Sequence, residues 1–204
     1  MGQRDGDGWV DCDCGYRHWG RFGAAGLLIL RRDTSEPQVL LQLRAEWTHG
    51  GGTWALPGGA KDSHEDSVTA ALREAHEEMG INIDALTIKH VFSDNHGPWS
   101  YDTVIAHAMS DAGAHIANPE STATKWSPIE QVADLNLHPG LKQSWIALKP
   151  RTLNSLESES LKALWRKVRA LHRAMDNAAS SKLSGRAMRL VSTSRCCHLL
   201  RRVR

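Results

Sequence analysis

The stretch Pro57-Gly-Gly-Ala-Lys-Asp-Ser-His-Glu-Asp-Ser-Val-Thr-Ala-Ala-Leu-Arg-Glu-Ala-His-Glu-Glu-Met-Gly-Ile81 decides how this chain folds. It reads as a glycine-rich loop feeding a helix. Pro57, Gly58 and Gly59 let the backbone come close to a ligand or an ion. Ser63 and Asp66 suit a capping box, which predicts a helix start near His64. Val68, Ala71, Leu72 and Ala75 give the helix a buried side, and Gly80 ends it where a left-handed residue is wanted. Glu74, Glu77 and Glu78 fall at i, i+3 and i+4 and so share one face. Their repulsion gains a free surface helix nothing. A hard divalent cation such as Mg²⁺ or Mn²⁺ would remove it. Any lone E-x-x-E-E is by default a solvated acidic face; here loop, cap, acids and stop agree.

The same stretch fills the pattern G-x5-E-x7-R-E-U-x-E-E-x-G-U, with U aliphatic, through Gly59, Glu65, Arg73, Glu74, Ala75, Glu77, Glu78, Gly80 and Ile81. Ala75 is the one small occupant. On this pattern the chain resembles the Nudix hydrolases. The resemblance implies an α/β/α sandwich with a mixed sheet, and Mg²⁺-dependent (or Mn²⁺-dependent) hydrolysis of a diphosphate bond in a nucleotide. Further stretches, among them His18-Trp-Gly-Arg-Phe-Gly-Ala-Ala-Gly-Leu-Leu28, Gly51-Gly-Thr-Trp-Ala-Leu-Pro-Gly-Gly-Ala60 and Leu135-Asn-Leu-His-Pro-Gly-Leu-Lys-Gln-Ser-Trp145, resemble an actinobacterial MutT-type subgroup. That likeness implies 8-oxo-dGTP as substrate and a role in sanitising the nucleotide pool and in DNA repair. It stops near Leu148.

The resemblance also implies roles. Glu77 and Glu78 are metal ligands, joined by a main-chain carbonyl at Gly58 or Gly59. Glu74 either binds metal too or acts as general base. Arg73 orients the neighbouring glutamate by an ion pair. Glu65 is a structural partner of the loop rather than a ligand. Arg44, where the second strand ends, and Lys61, after the glycines, resemble phosphate-contacting residues. An acid outside the motif is expected, with Glu120 first and Asp94 and Asp102 behind it. Chemically, a diphosphate is inert because its negative oxygens repel nucleophiles; cations neutralise that charge and help deprotonate an attacking water.

Hydrophobic residues make up 41% of the chain, enough for a real core, and the net charge is +2. That value hides an asymmetry. Residues 151–204 carry thirteen Lys and Arg against three Asp and Glu, a net of +10, so the first 150 carry a net of −8. We therefore expect a Nudix domain over residues 1–150 and a basic extension over 151–204. Met1 to Gly8 has no apolar leader and no apolar run is long enough to span a bilayer, so a cytoplasmic protein is expected. Cys12 and Cys14 form C-x-C and Cys196 and Cys197 are adjacent. Neither has the spacing of a zinc finger, so no structural metal is expected there.

In order, Asp5 to Trp19 reads as an irregular leading segment. Gly23 to Leu30 reads as a strand buried on both faces at its end, and Val39 to Leu43 as its antiparallel hairpin partner. Thr53 to Leu56, Thr87 to Phe92, Tyr101 to Met109 and Ser121 to Trp126 read as further strands, with a loop over Asp94 to Pro98. Pro128 opens a short helix to Val132. His138 to Leu148 reads as a helix burying Leu141, Trp145 and Leu148. In the extension, Leu161, Leu164, Trp165, Val168, Leu171 and Met175 recur at helical spacing among Lys and Arg, a basic amphipathic helix. It suits docking on the acidic domain, contact with nucleic acid or an anionic membrane, or a partly helical end without fixed role, which is the reading we adopt.

A nucleotide substrate is the expected partner. The alternatives to a nucleoside triphosphate are a broader nucleoside-diphosphate-X compound, such as a sugar nucleotide or dinucleoside polyphosphate, and a nucleotide-sensing module without turnover. The intact set of acids argues against the last. For the base, Trp47, Trp54, Trp99, Asn95, Asn136 and Asp134 are available as stacking or edge-reading groups.

Overall fold

Ala24 to Leu30 contains no polar side chain, so its stable place is a strand covered on both faces. A computed structural model describes residues 4–156 and 166–171, and in it this segment is the central strand. Among the described residues the strands are β1 (Trp9–Asp11), β2 (Arg17–Trp19), β3 (Ala24–Arg31), β4 (Gln38–Arg44), β5 (Trp54–Ala55), β6 (Gly58–Ala60), β7 (Leu86–Asn95), β8 (Ser100–Ala108) and β9 (Ser121–Pro128). The main sheet runs β5-β4-β3-β8-β7, with β6 also on β3 and β9 also on β4. β3 and β8 are parallel from Ala24↔Tyr101 to Arg31↔Ala108, and the other pairs are antiparallel.

One irregularity positions the site. The far end of β3 pairs with β4 through Leu30↔Val39 and Arg31↔Gln38. Its near end pairs instead with β6, through Gly26↔Gly58, Ala25↔Gly59 and Ala24↔Ala60. Strands β3 and β4 therefore splay, and residues 54–60 cross the gap. The approach is too close for side chains: a Cβ on Gly58 would lie 2.4 Å from the Ala25 carbonyl oxygen. That contact is what the glycine loop provides.

Helix α1 (Ser67–Met79) covers the face of β3 that carries Ala25, Leu27 and Ile29, through Ala70, Ala71, Ala75 and Met79. Small side chains on the helix let it lie close to the sheet. Leu28 and Leu30, on the opposite face of β3, are equally buried. Helix α2 starts at residue 139 and runs to the end of this unit, burying Leu141, Trp145 and Leu148, with the Arg151 guanidinium over the Phe92 ring of β7. The result is an α/β/α sandwich with a mixed sheet.

Three expectations change. The helix does not begin near His64 on a Ser63 cap. Asp66 is the N-cap, accepting from the Thr69 amide at 2.7 Å, while Ser63 bonds Asp5. The aspartate wins because its carboxylate reaches the free amide two turns ahead of the acids and favours the helix N-terminus. Asp5 to Trp19 is not irregular, since β1 and β2 form a hairpin with Trp9↔Trp19 in register. The last helix does not stop at Leu148; it continues through Thr152, which is fully buried and bonds the Leu148 carbonyl. Gly80 does close α1 in the left-handed conformation, at φ 58°.

The chain divides into two compact units, Met1–Ser155 and Leu156–Arg204. In the second, residues 166–171 are helical, with Val168 half-buried and Leu171 exposed. Leu161, Leu164, Trp165, Met175, Cys196 and Cys197 lie outside the described residues. No helix among the described residues is long and apolar enough to cross a membrane.

Candidate active site

The acids of α1 face the splay between β3 and β4. Glu78 points inward and is only 3% exposed. Its Oε2 accepts from the Gly58 amide at 2.8 Å and from Gln42 Nε2 at 2.9 Å. Burial pushes its carboxyl up to about 8; the Glu74 charge adds to the rise, and the Gly58 amide, Gln42 and Arg44 oppose it. Glu74 sits one turn back, and its carboxyl is also raised, by burial first, against the pull of Arg73. A Cβ on Gly59 would come within 2.7 Å of the Glu74 carboxyl carbon. The loop thus forms a cradle that only glycine leaves open.

Arg73 organises the acids rather than standing apart from them. Its Nε and Nη2 grip Glu65 at 2.6 and 2.8 Å, Nη1 reaches Glu74 at 2.5 Å and Glu77 at 3.5 Å, and Nη2 also donates to the Ala60 carbonyl. Such a fork holds geometry as well as charge. Glu65 in turn accepts from the Asp62 amide, so it ties the loop to the helix, and the Arg73 bonds hold its carboxyl below the usual range. Glu77 is the more open acid. Its other oxygen pairs with Arg4 at 2.5 Å, and Arg4 also binds Asp62 at 3.1 Å.

Gly58, Gly59, Arg73, Glu74, Glu77 and Glu78 are therefore brought together. The donor set is all oxygen: Glu78 is bonded to the Gly58 amide, Glu74 lies against Gly59, and Glu77 is held through Arg73 and Arg4. These residues fit a hard divalent cation. Arg44 lies at the end of β4, its Nε bonded to the His49 carbonyl, with its charge near enough to oppose the rise of Glu78.

Other predicted residues are placed differently. Lys61 is paired with Asp102 at 2.8 Å, so each neutralises the other inside the protein. Burial would raise the Asp102 carboxyl, but the bonds from Lys61 and Ser67 outweigh it and hold it low. Asp94 stands 3.5 Å from His96. Glu120 pairs through its main chain with Ala45, beside Arg44, and its carboxylate has no hydrogen bond or ion pair among the described residues. Trp99 is buried against His18, Trp47 is exposed, Trp54 carries Lys125 over its ring, and Asn136 bonds the Gly52 carbonyl.

Sequence reading missed Gln42, Tyr101 and Arg4. Gln42 is fully buried, anchors Glu78 and accepts from the Ser121 hydroxyl. The signal was there: one amide inside Val39-Leu-Leu-Gln-Leu43 needs a buried partner. The Tyr101 hydroxyl occupies the space that a side chain on Gly26 would fill, and only the parallel register of β8 puts it there. Arg4 gave no signal, because its partners are 58 and 73 residues away.

Residues 20–148 match the family model described as the NUDIX domain. The chain belongs to the Nudix family. It is 46% identical over 157 residues to a Mycobacterium tuberculosis protein named "Putative 8-oxo-dGTP diphosphatase 3", covering 71% of this chain and 70% of that one. It is 40% identical over 148 residues to a "Nucleoside triphosphate pyrophosphatase/Nudix hydrolase fusion protein" of Bifidobacterium longum, covering 69% of this chain and 30% of the fusion. Among solved structures, the Nudix hydrolase RenU of M. smegmatis superposes with a TM-score of 0.68 at 45% identity, over 73% of this chain and 96% of RenU.

Proposed function

We propose that this chain hydrolyses a diphosphate bond of a free nucleoside triphosphate in the cytoplasm, with 8-oxo-dGTP as the first candidate. One observation carries the reading: Glu74 and Glu78 of α1 lie against the Gly58–Gly59 loop, Glu78 anchored by the Gly58 amide and Gln42, and Arg73 ties Glu74 and Glu77 to the Ala60 carbonyl. Glu77 and Glu78, with a main-chain carbonyl at Gly58 or Gly59, would hold Mg²⁺ or Mn²⁺, and Glu120 is the candidate acid from outside the helix. Bound there, the ion supplies charge neutralisation at the phosphates and eases deprotonation of the attacking water.

The chain's own residues do the rest. Glu74 is a ligand or takes the proton of the water, and the Arg73 fork fixes its carboxylate in either role. Gln42 and the Gly58 amide hold Glu78 in one rotamer, so no reorganisation is needed when substrate arrives. Arg44 is read as a phosphate contact. Lys61 would have to leave Asp102 to become a second.

The test is a nucleotide panel with Mg²⁺, products resolved by chromatography. Cleavage of 8-oxo-dGTP ahead of canonical triphosphates is expected. Preference for a sugar nucleotide or a dinucleoside polyphosphate would move the substrate class. Absence of turnover on the whole panel would make the site a sensor rather than an enzyme.

A further inference from the structure

A second cluster of ion-binding side chains lies away from the acids. The tip of the β1–β2 hairpin carries Cys12 and Cys14, strand β2 carries His18, and the turn after β7 carries His96. One ligand atom from each of these four residues lies within 4.8 Å of all the others. The Cys14 Sγ is 3.1 Å from His18 Nε2, the Cys12 Sγ donates to the His96 carbonyl at 3.0 Å, and the two imidazoles meet edge to face at 4.9 Å. We propose that Cys12, Cys14, His18 and His96 form a tetrahedral Zn²⁺ site that staples the β1–β2 hairpin to the β7–β8 turn.

The donor chemistry selects the ion. Two thiolates and two imidazoles in a closed set of four suit zinc, and the hard ions of the acidic site do not compete for sulfur. With Zn–S of about 2.3 Å and Zn–N of about 2.0 Å, a tetrahedron sets its ligand atoms roughly 3.3–3.8 Å apart. The four ligand atoms now lie within 4.8 Å of one another, near that spacing.

The surroundings already hold the ligands in place. The hairpin tip is pinned by the Cys12 amide on the Tyr16 carbonyl and the Gly15 amide on the Cys12 carbonyl, with Gly15 at φ 85°. His18 stacks on Trp99 at 4.1 Å, and Trp99 Nε1 donates to the Trp19 carbonyl. Asp94 lies 3.5 Å from His96 Nε2, where a carboxylate orients a ligating imidazole. There is also a structural need. The hairpin is a separate two-stranded sheet, and such a unit is marginal alone. The spacing of the cysteines does not reveal the site because half its ligands are histidines, one of them 82 residues downstream of Cys14.

The test uses the full chain, stripped of metal under a phosphine reductant and titrated with Co²⁺ and then Zn²⁺. One equivalent of Co²⁺ should give intense tetrahedral visible bands with thiolate charge transfer, and one Zn²⁺ should bleach them. The acidic site cannot imitate this, because it offers no sulfur. Cys14→Ser and His18→Ala should each abolish the thiolate signature, while the Cys196→Ser/Cys197→Ser double variant should keep it. Asp94→Asn should weaken Zn²⁺ by roughly tenfold. No thiolate band in the unmodified chain, a band that survives Cys14→Ser, or one lost with Cys196 and Cys197 would each overturn the proposal.

Discussion

The acidic cluster of α1 and the thiol–imidazole cluster of the N-terminal hairpin both gather side chains of metal-ligating type, yet only the first announces itself along the chain. Its three glutamates come from one helix, so helical spacing alone sets them together. The second joins a hairpin tip to a turn in another sheet, and spacing along the chain says nothing about it. The electrostatics differ as well. Glu78 is buried and Glu74 half-buried, and both are acids raised by desolvation and steadied by Arg73, Gln42 and Gly58. Cys14 is exposed, and the hairpin cluster is at most half-buried. Under the two proposals, one arrangement would serve charge at a reacting phosphate and the other would hold two loops together.

The largest effect expected falls on the acids. Glu78→Gln removes a charge and keeps the shape, and turnover should drop at least about a hundredfold with the fold retained by circular dichroism. Excess EDTA should abolish activity, with Mg²⁺ or Mn²⁺ restoring it. Full activity in either case would take the acids out of the chemistry and remove one side of the contrast.

Gln42→Leu tests whether the acids depend on their anchoring. It keeps the volume but strips Glu78 of a donor and the Ser121 hydroxyl of its acceptor. A loss of about 1–3 kcal/mol in urea unfolding is expected. An unchanged midpoint would mean Glu78 is held by the Gly58 amide alone.

A half-buried base sharpens the comparison, because desolvation holds its proton off without any ion. Burial, helped by the charge of Arg44, pushes the His138 ring down to about 4. The unfolded ring takes its proton near 6.5, so between those values the unfolded chain binds more protons than the folded one. Stability should therefore be complete above pH 6.5 and fall as the pH drops toward 4. The ring is only half-buried, and after allowing for solvent screening its share is about 1–2 kcal/mol. His138→Asn, which can still accept from the Gly140 amide, should flatten that slope. A slope that persists in the variant would assign it to other groups.

Smaller effects are expected away from the acids. Because α2 runs past residue 150 and buries Thr152, a chain shortened for this purpose should end at Ser155. It should keep metal-dependent hydrolysis within a few-fold of the full chain; a folded but inactive product would tie the basic extension to catalysis. Cys14→Ser should change turnover by no more than about twofold, since an exposed substitution away from the acids costs little. A loss comparable to that of Glu78→Gln would join the two clusters into one machine.

Within one element, local rules were enough. The helix, its Gly80 stop, the acids at i, i+3 and i+4, and the doubly buried β3 all follow from side-chain periodicity and backbone preference in a short window. That is why the family pattern is legible from Gly59 to Ile81, and why the helix start was displaced only from His64 to Ser67. Tertiary structure decided whatever needed distant segments. The splay of β3 and β4 puts Gln42 on Glu78, the parallel register of β8 seats Tyr101 against Gly26, and the pairing of Lys61 with Asp102 turns an expected phosphate contact into an internal ion pair. Arg4 reaches Glu77, and His96 reaches Cys12 and Cys14, only after the sheet has formed. These contacts depend on register and on chain reversals that no local propensity encodes, so the sequence determined the acids on one helix and the fold determined every partner that had to come from elsewhere.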